Sequence, residues 1–446
     1  MIKRPLRVAV VGSGPSGMYA TGHLVEHPAG TWINGSLERI APGPVEVDVF
    51  DRLPTPWGLV RNGVAPDHQA KKKIAGVFDA ISARPGVRFY GNVEIGRDVS
   101  VGELMAWYDG VVFAVGASAG RALQVPGSEL TGCYTAHEFV AWCNGHPDLD
   151  RLDPDLSGRT AVVIGNGNVA LDVARILSLS PERLSRTDMG SNAWTRLVAS
   201  RIREVVVVGR RGPMEAAFTN PELEEILGLP DVEIRVIAPR HTGEGLDGPE
   251  GRRRARLLER AERRSGADCE RRITLLFDHS PVRIDGVGQA ASVVLAGRDG
   301  SERRLEASFV VAAIGYASAP IPGLPFEHER LVIPSTDGRV SGMSRAYVTG
   351  WAKRGPSGVI GTNKWCARET VRALFADARL GLLHAAPTLT SGEVDNLLAE
   401  RCPSRVTWDG WRCIDRYEHA RGREEGRPKV KLTSATELLR VASDDE

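Results

Sequence analysis

Short apolar stretches that end in glycine or an acid recur along the chain, and helical patterns fall between them. LRVAVV (6–11), VEVDVF (45–50), YDGVVFAVGA (108–117), AVVI (161–164), REVVVVGRRG (203–212) and SFVVAAIGYAS (308–318) are too short for full helices and predict strands. An amphipathic helix follows the first of these from about Pro15 to Val25, and another follows Gly165-Asn166-Gly167. Residues 346–375 read as strand, glycine-rich loop and helix, and two further helical patterns occur near 391–401 and 409–420. A Gly/Pro-rich stretch at 28–44 predicts a surface insertion. Strands alternating with helices imply parallel sheets. Two strand–glycine turn–helix units about 150 residues apart imply two such sheets, with crossings at 115–117 and 314–316. The predicted class is α/β: two Rossmann-like dinucleotide-binding domains, with the second (118–316) inserted into a discontinuous first one (1–117 and 317–446, the latter with a helical tail).

Composition narrows the function classes without changing this picture. The chain has 446 residues, of which 42% are hydrophobic and 25% charged, as expected of a soluble protein with a sizeable core. A net charge of +1 gives no bulk electrostatic case for nucleic acid or a membrane surface. No uninterrupted apolar run reaches the roughly 18 residues of a membrane span, so no membrane insertion is expected. The six cysteines include no CxxC or CxxxxC pair, which argues against a redox dithiol, a zinc site or an iron–sulfur cluster within this chain. Scattered thiols fit a reducing, cytoplasmic setting.

The chemistry is carried by the glycine turns. Gly12, Gly14 and Gly17 have GxGxxG spacing between a strand and a helix, and Asp51 ends the next strand. Such glycines allow a tight turn, close approach to a pyrophosphate and close helix–strand packing, while the acid can accept hydrogen bonds from ribose hydroxyls. Gly165, Gly167 and Ala170 repeat the motif, and backbone groups of Asn168 and Val169 would meet the pyrophosphate there. Here the next strand ends in Arg210-Arg211 rather than an acid. A carboxylate would repel a 2′-phosphate, whereas guanidiniums bind one in a fork. The second turn is therefore expected to take NADPH and the first FAD, with hydride passing between them.

The chain resembles the ferredoxin–NADP⁺ reductases of the adrenodoxin-reductase type, including their bacterial members. The matching stretches are VGSGPSG, DRLPTPWGLVRNGVAPDH (51–68), AVVIGNGNVALDVARIL, VVGRRGPMEAAFTNPELEEI (207–226) and GWAKRGPSGVIGTNK (350–364). The resemblance implies the fold of glutathione-reductase-type flavoproteins, with FAD and NADP(H) as cofactors. It also implies a separate ferredoxin-type iron–sulfur protein as electron acceptor. It makes Leu59, Trp351 and Gly358 flavin contacts, with the helix start at 355–363 facing the flavin edge. It places His68 near the nicotinamide–flavin junction, opposite an acid for which Glu225 is the candidate, and Glu222 beside the nicotinamide. Thr219 and Glu222 also fit a helix capping box, which alone would explain the glutamate. Two departures stand out: aspartate at 51 where the family usually has glutamate, and a longer stretch at 28–44.

GRRRARLLERAERR (251–264) holds seven arginines and two glutamates, with Leu257, Leu258, Ala255 and Ala261 forming an apolar stripe on a helix. It reads either as a solvated face or, through Arg253, Arg254 and Arg256, as a docking surface for an acidic ferredoxin. The competing function is an electron-input subunit of a larger complex, like the small subunit of glutamate synthase. The cysteine-rich segments usual in those subunits are absent from the sequence.

Overall fold

The computed structural model describes residues 4–25, 31–33, 36–38, 43–238, 248–263, 269–383 and 387–443. In the first sheet Leu6–Val11 lies between Val45–Phe50 and Gly110–Phe113 and runs parallel to both. Val87–Tyr90 extends one side. Ala346–Val348, more than two hundred residues downstream, adds in parallel beside Gly110–Phe113. An antiparallel pair, Ser335–Thr336 and Arg339–Val340, finishes that edge. The second sheet is wholly parallel, in the order Val232–Ile237, Arg271–Leu276, Glu204–Val208, Thr160–Ile164, Phe309–Ala312, Cys133–Thr135. The chain builds it between two visits to the first sheet. Where it leaves and returns, Ala119–Gly120 pairs antiparallel with Tyr316–Ala317.

The apolar stretches form strands because both of their faces are covered. Along Leu6–Val11, Leu6, Val8 and Val10 pack with Met18, Phe78 and Leu374, whereas Ala9 and Val11 pack with Phe50, Tyr108 and Phe113. The second sheet divides likewise: Ala161 and Val163 face Leu171 and Phe309, while Val162 and Ile164 face Val293 and Leu295. A run of uniformly apolar residues is thus satisfied on alternate sides, each large side chain adding about 1.5–3 kcal/mol of burial.

Two features depart from the sequence-based expectation. Residues 279–306 form a three-stranded antiparallel sheet whose two outer strands are half-buried or exposed, so those two lack the dense apolar signal of the parallel ones. The tail holds three helices, Ser391–Arg401, Trp408–Glu425 and Ala435–Ser443, rather than two. Of the 28–44 stretch, Thr31–Ile33 and Ser36–Glu38 pair antiparallel, and most of the remainder lies outside the described residues. Helix Gly248–Arg263 forms as expected, burying Leu257, Leu258 and Ala261. No described helix is long and apolar enough to cross a membrane.

Candidate functional site

Each glycine of the first turn is required for a different reason. Gly12 has φ +102°, and a Cβ there would stand 2.6 Å from the Ala114 carbonyl oxygen. A Cβ on Gly17 would strike the Gly12 carbonyl oxygen, which fixes how closely helix Pro15–Leu24 meets its strand. Gly14 is different: a Cβ would meet nothing nearer than the Gly58 Cα at 3.9 Å, so the space above it is open. The helix starts at Gly14 without a side-chain cap, leaving its first N–H groups directed into that space. The second turn repeats the arrangement. Gly165 has φ +118° against the Ala313 carbonyl, Gly167 faces open space, Ala170 is fully buried, and helix Asn168–Ser178 starts uncapped. Two open cradles lined by unsatisfied N–H groups fit two pyrophosphates.

Asp51 turns inward. Its Oδ2 accepts the Ser13 N–H at 2.9 Å and the Ser13 hydroxyl, and its Oδ1 accepts the Leu53 N–H at 3.0 Å. Three of roughly four acceptor sites on the carboxylate are therefore in use. The shorter aspartate holds the turn itself, and the expected pair of bonds to ribose hydroxyls shrinks to room for one. The loop beside it is strained and tightly packed. Trp57 has φ +81°, is held by Phe78, Trp408 and Trp411, and donates its N–H to the Ser13 carbonyl. A Cβ on Gly58 would sit 3.0 Å from the Gly14 Cα, which places Leu59 beside the first cradle.

The 350–363 segment reaches the same cradle from the far end of the chain. Asn363 Oδ1 accepts the Ser16 hydroxyl at 2.9 Å and an Arg354 N–H at 2.9 Å. The Trp351 indole donates to the Ser357 carbonyl, and its ring lies 5.3 Å from that of Tyr316. Gly358 has φ +83°, and Val359, at the start of helix Ile360–Arg379, is 69% exposed. An exposed valine beside a helix N-terminus is an apolar ledge with N–H donors, a match for a flat ring with an anionic edge.

Between the two cradles a charged cluster joins the sheets. His68, at the head of the one-turn helix Gln69–Lys72, places Nε2 2.7 Å from Glu225 Oε2, and its Nδ1 is 3.6 Å from Asp172 Oδ1. Arg175 is buried and forks onto Asp67 and Asp172, the latter at 2.7 Å, with Glu225 at 3.4 Å. Burial raises the Asp172 carboxyl above its ordinary range against the pull of Arg175 and His68. For Asp67 burial acts the same way, but the bonds from Arg175 outweigh it and hold the carboxyl low. Lys71 Nζ approaches Glu222 at 3.4 Å. The Thr219 hydroxyl bonds to Glu222, and its backbone N–H goes to Asn168 Oδ1 at 2.8 Å. The reciprocal capping box expected at 219–222 is therefore not formed, and the Glu222 side chain lies between the Thr219 hydroxyl and Lys71.

Thus His68, Glu225 and Glu222 come together, and Asn168 and Val169 begin the helix at the second turn. Arg210 and Arg211 are exposed beyond strand Glu204–Val208, and the Arg211 guanidinium makes a 3.6 Å contact with Glu215. A Cβ on Gly209 would stand 2.5 Å from the Asn166 Nδ2, so the glycine makes room for that side chain. The proposed docking arginines divide. Arg254 donates to the carbonyls of Met214, Ala216 and Phe218 at 3.1, 2.9 and 2.7 Å, so it is a structural clasp and is not free to dock. Arg253 pairs with Glu224 at 2.8 Å, while Arg256 is exposed. Sequence reasoning missed Asp67, Asp172 and Arg175. The signal was available: Asp172 and Arg175 stand three residues apart on one helix face, amid apolar neighbours.

Residues 6–227 match the family described as pyridine nucleotide-disulphide oxidoreductase. The chain is 42% identical to the NADPH-ferredoxin reductase FprA of Mycobacterium tuberculosis, across 98% of this chain and 99% of that one. It is 37% identical to the mitochondrial NADPH:adrenodoxin oxidoreductase of Arabidopsis thaliana, across 99% and 96%. The solved structure of Mycobacterium tuberculosis FprA in complex with NADPH superposes with a TM-score of 0.92 at 41% identity, covering 98% of this chain and all of that one.

Proposed function

The chain belongs to the pyridine nucleotide-disulphide oxidoreductases, in the branch of the adrenodoxin-reductase-type ferredoxin reductases, and from that premise we propose that it carries electrons from NADPH through FAD to a ferredoxin. The observation that carries this reading is the pair of uncapped glycine-turn helices with open space at Gly14 and Gly167. Bound FAD would supply a hydride acceptor for NADPH and a donor of single electrons.

The residues of the chain bind, orient and shield. Gly12, Gly14 and Gly17 cradle the FAD pyrophosphate, Asp51 takes one ribose hydroxyl, and Leu59, Trp351 and Gly358 flank the flavin. Gly165, Gly167, Asn168 and Val169 cradle the NADP pyrophosphate, and Arg210 and Arg211 take its 2′-phosphate. The N-terminus of helix Ile360–Arg379 favours the negative charge of reduced flavin. Hydride transfer requires no general base, so His68, Glu225 and Glu222 orient the nicotinamide. The domain division that follows the crossing pair is 1–117 and 317–446 for FAD, with 118–316 for NADP. The partner is an iron–sulfur ferredoxin, steered by the exposed Arg256 side of helix Gly248–Arg263. The test is anaerobic: NADPH should bleach the yellow protein, and a ferredoxin should restore the colour as it is reduced. A protein that NADPH leaves yellow is not this enzyme.

A further inference from the structure

Beneath the His68 cluster lies a second polar network that is almost completely buried. Lys72 Nζ donates to Asp188 Oδ1 and Oδ2 at 2.6 and 2.8 Å and to Asn144 Oδ1 at 2.6 Å. Lys431, from the C-terminal tail, donates to the same Asn144 oxygen at 2.8 Å and to the Arg61 carbonyl at 2.8 Å, and it lies 3.1 Å from Asp188. Asn144 Nδ2 donates to the Val64 carbonyl at 2.9 Å. The Arg61 guanidinium is paired with Glu418, whose Oε1 also accepts the Leu432 N–H at 2.9 Å. The side chains of Lys72, Asp188, Lys431, Arg61 and Glu418 are each at most 9% exposed.

These residues come from three parts of the fold. Arg61 and Lys72 flank the segment that carries His68. Asn144 follows helix Ala136–Cys143, and Asp188 precedes helix Ser191–Val198, both packed on the second sheet. Lys431 sits on a strap that leaves helix Trp408–Glu425, whose Trp408 and Trp411 pack on Trp57 beside the first cradle. The strap then crosses the Gly145–Gly190 contact, where a Cβ on Gly190 would meet both Gly145 and Thr433 at 3.0 Å. Arg427, on the same strap, donates to the Met189 carbonyl.

Two ammoniums share one carboxylate in this network. Burial, aided for Lys431 by the neighbouring Lys72 and Arg61, pulls both lysines below their ordinary pKa. Buried ammoniums held by several short bonds each have an over-determined geometry. Lys72 lies one helical turn beyond His68, and fixing one fixes the other.

We propose that Lys72 and Lys431 are positioning residues: by gripping Asp188 and Asn144 they lock the NADP-binding half against the His68 segment, with the C-terminal strap as the third leg, and so set the nicotinamide against the flavin. This rests on the oxidoreductase reading above. Lys431→Met keeps the apolar stem and leaves Lys72 and Asp188 as a balanced pair, so loss of charge balance does not confound it. In the flavin-loaded, full-length protein at saturating NADPH, anaerobic bleaching should slow roughly ten- to a hundredfold, as a displacement of about 1 Å does. The Kd for NADP⁺, read from its perturbation of the flavin spectrum, should move less than about twofold, because it is set at the glycine turn and Arg210–Arg211. Ferricyanide reoxidation of chemically reduced flavin should keep its wild-type rate. Backbone amides of residues 62–72 should exchange faster with solvent deuterium. Lys72→Met, which leaves Lys431 and Asp188 as the balanced pair, removes the other leg and should reproduce the same split. Wild-type bleaching in either variant overturns the proposal. So does a parallel loss of NADP⁺ affinity, flavin content and reoxidation, which makes the network a stability element only. Failure of the oxidoreductase reading is separate, since it shows as wild-type protein that NADPH does not bleach.

Discussion

Replacing Arg210 and Arg211 together by glutamine should remove most of the preference for NADPH over NADH. Both guanidiniums stand in solvent at the end of strand Glu204–Val208, and the Arg211 side chain is 55% exposed. A charge-assisted bond contributes about 1.5–3 kcal/mol, and solvent screening places exposed groups at the low end, so two contacts to a 2′-phosphate amount to about 3 kcal/mol. Binding also costs Arg211 its loose 3.6 Å contact with Glu215, a surface pair contributing about 0.5 kcal/mol at most. The net loss of about 2.5 kcal/mol corresponds to a roughly sixtyfold fall in selectivity, since 1.4 kcal/mol is a factor of ten. The assay is kcat/KM for each nucleotide with ferricyanide as acceptor, which leaves partner docking out of the measurement. NADH turnover should hardly change. If the ratio of the two kcat/KM values is unaltered in the double variant, the arginines do not hold the phosphate and the second turn has been assigned its nucleotide wrongly.

Three further outcomes follow from the geometry. Gly14→Val should give a folded but colourless protein, because a Cβ there meets only Gly58 at 3.9 Å while the side chain fills the cradle; yellow, active protein would reverse the assignment of the two turns. Arg254→Ala should lower stability in urea by about 2–3 kcal/mol through loss of its three carbonyl bonds, whereas Arg256→Glu should change stability by less than about 0.5 kcal/mol and slow ferredoxin reduction mainly at low salt. Burial pushes the His146 imidazole from its ordinary 6.5 down to about 4, against the pull of Asp148. The unfolded chain takes up that proton first, so the stabilising contribution is complete above about pH 6.5 and is lost progressively toward pH 4, up to about 3 kcal/mol. His146→Asn should flatten the unfolding curve across that window, and an unchanged slope would place the acid sensitivity elsewhere.

The glycine turns were legible in the sequence because their requirements are local. A positive φ at Gly12 or Gly165 and a forbidden Cβ at Gly17 are written in residue type and spacing alone. The His68–Glu225 pair required the family resemblance, since nothing local links positions 157 residues apart. What stayed hidden was the use to which charged residues are put. Asp51 reads as a ribose ligand alone, and nothing local signals that Ser13 and Leu53 also bond its carboxylate. Arg254 reads as a surface charge because composition cannot reveal that three carbonyls of the 214–218 turn point at it. Lys72 and Lys431 look like two ordinary solvated lysines. Their burial is decided by how the tail crosses the two sheets, a long-range matter that the surrounding polar residues do not signal.

That hidden network bears on why the junction is ionic. Two domains could be glued by apolar side chains alone, and replacing a buried ion pair with well-packed hydrophobic groups is often neutral or stabilising. Apolar contact is non-directional, however, and tolerates sliding of one surface over another. Hydrogen bonds of 2.6–2.8 Å from Lys72 to Asp188 and Asn144 do not tolerate it, because a shift of a few tenths of an ångström strands a charge in a dry interior. Hydride transfer makes the same demand on distance between donor and acceptor carbons. A junction that must hold two cofactors in register therefore gains from contacts that fail sharply when displaced. The Asp67–Arg175 fork and the Lys72–Asp188–Lys431 network are two such contacts, and with the more exposed His68–Glu225 pair they concentrate on the one short segment between Leu59 and Lys72 that links the flavin cradle to the second sheet.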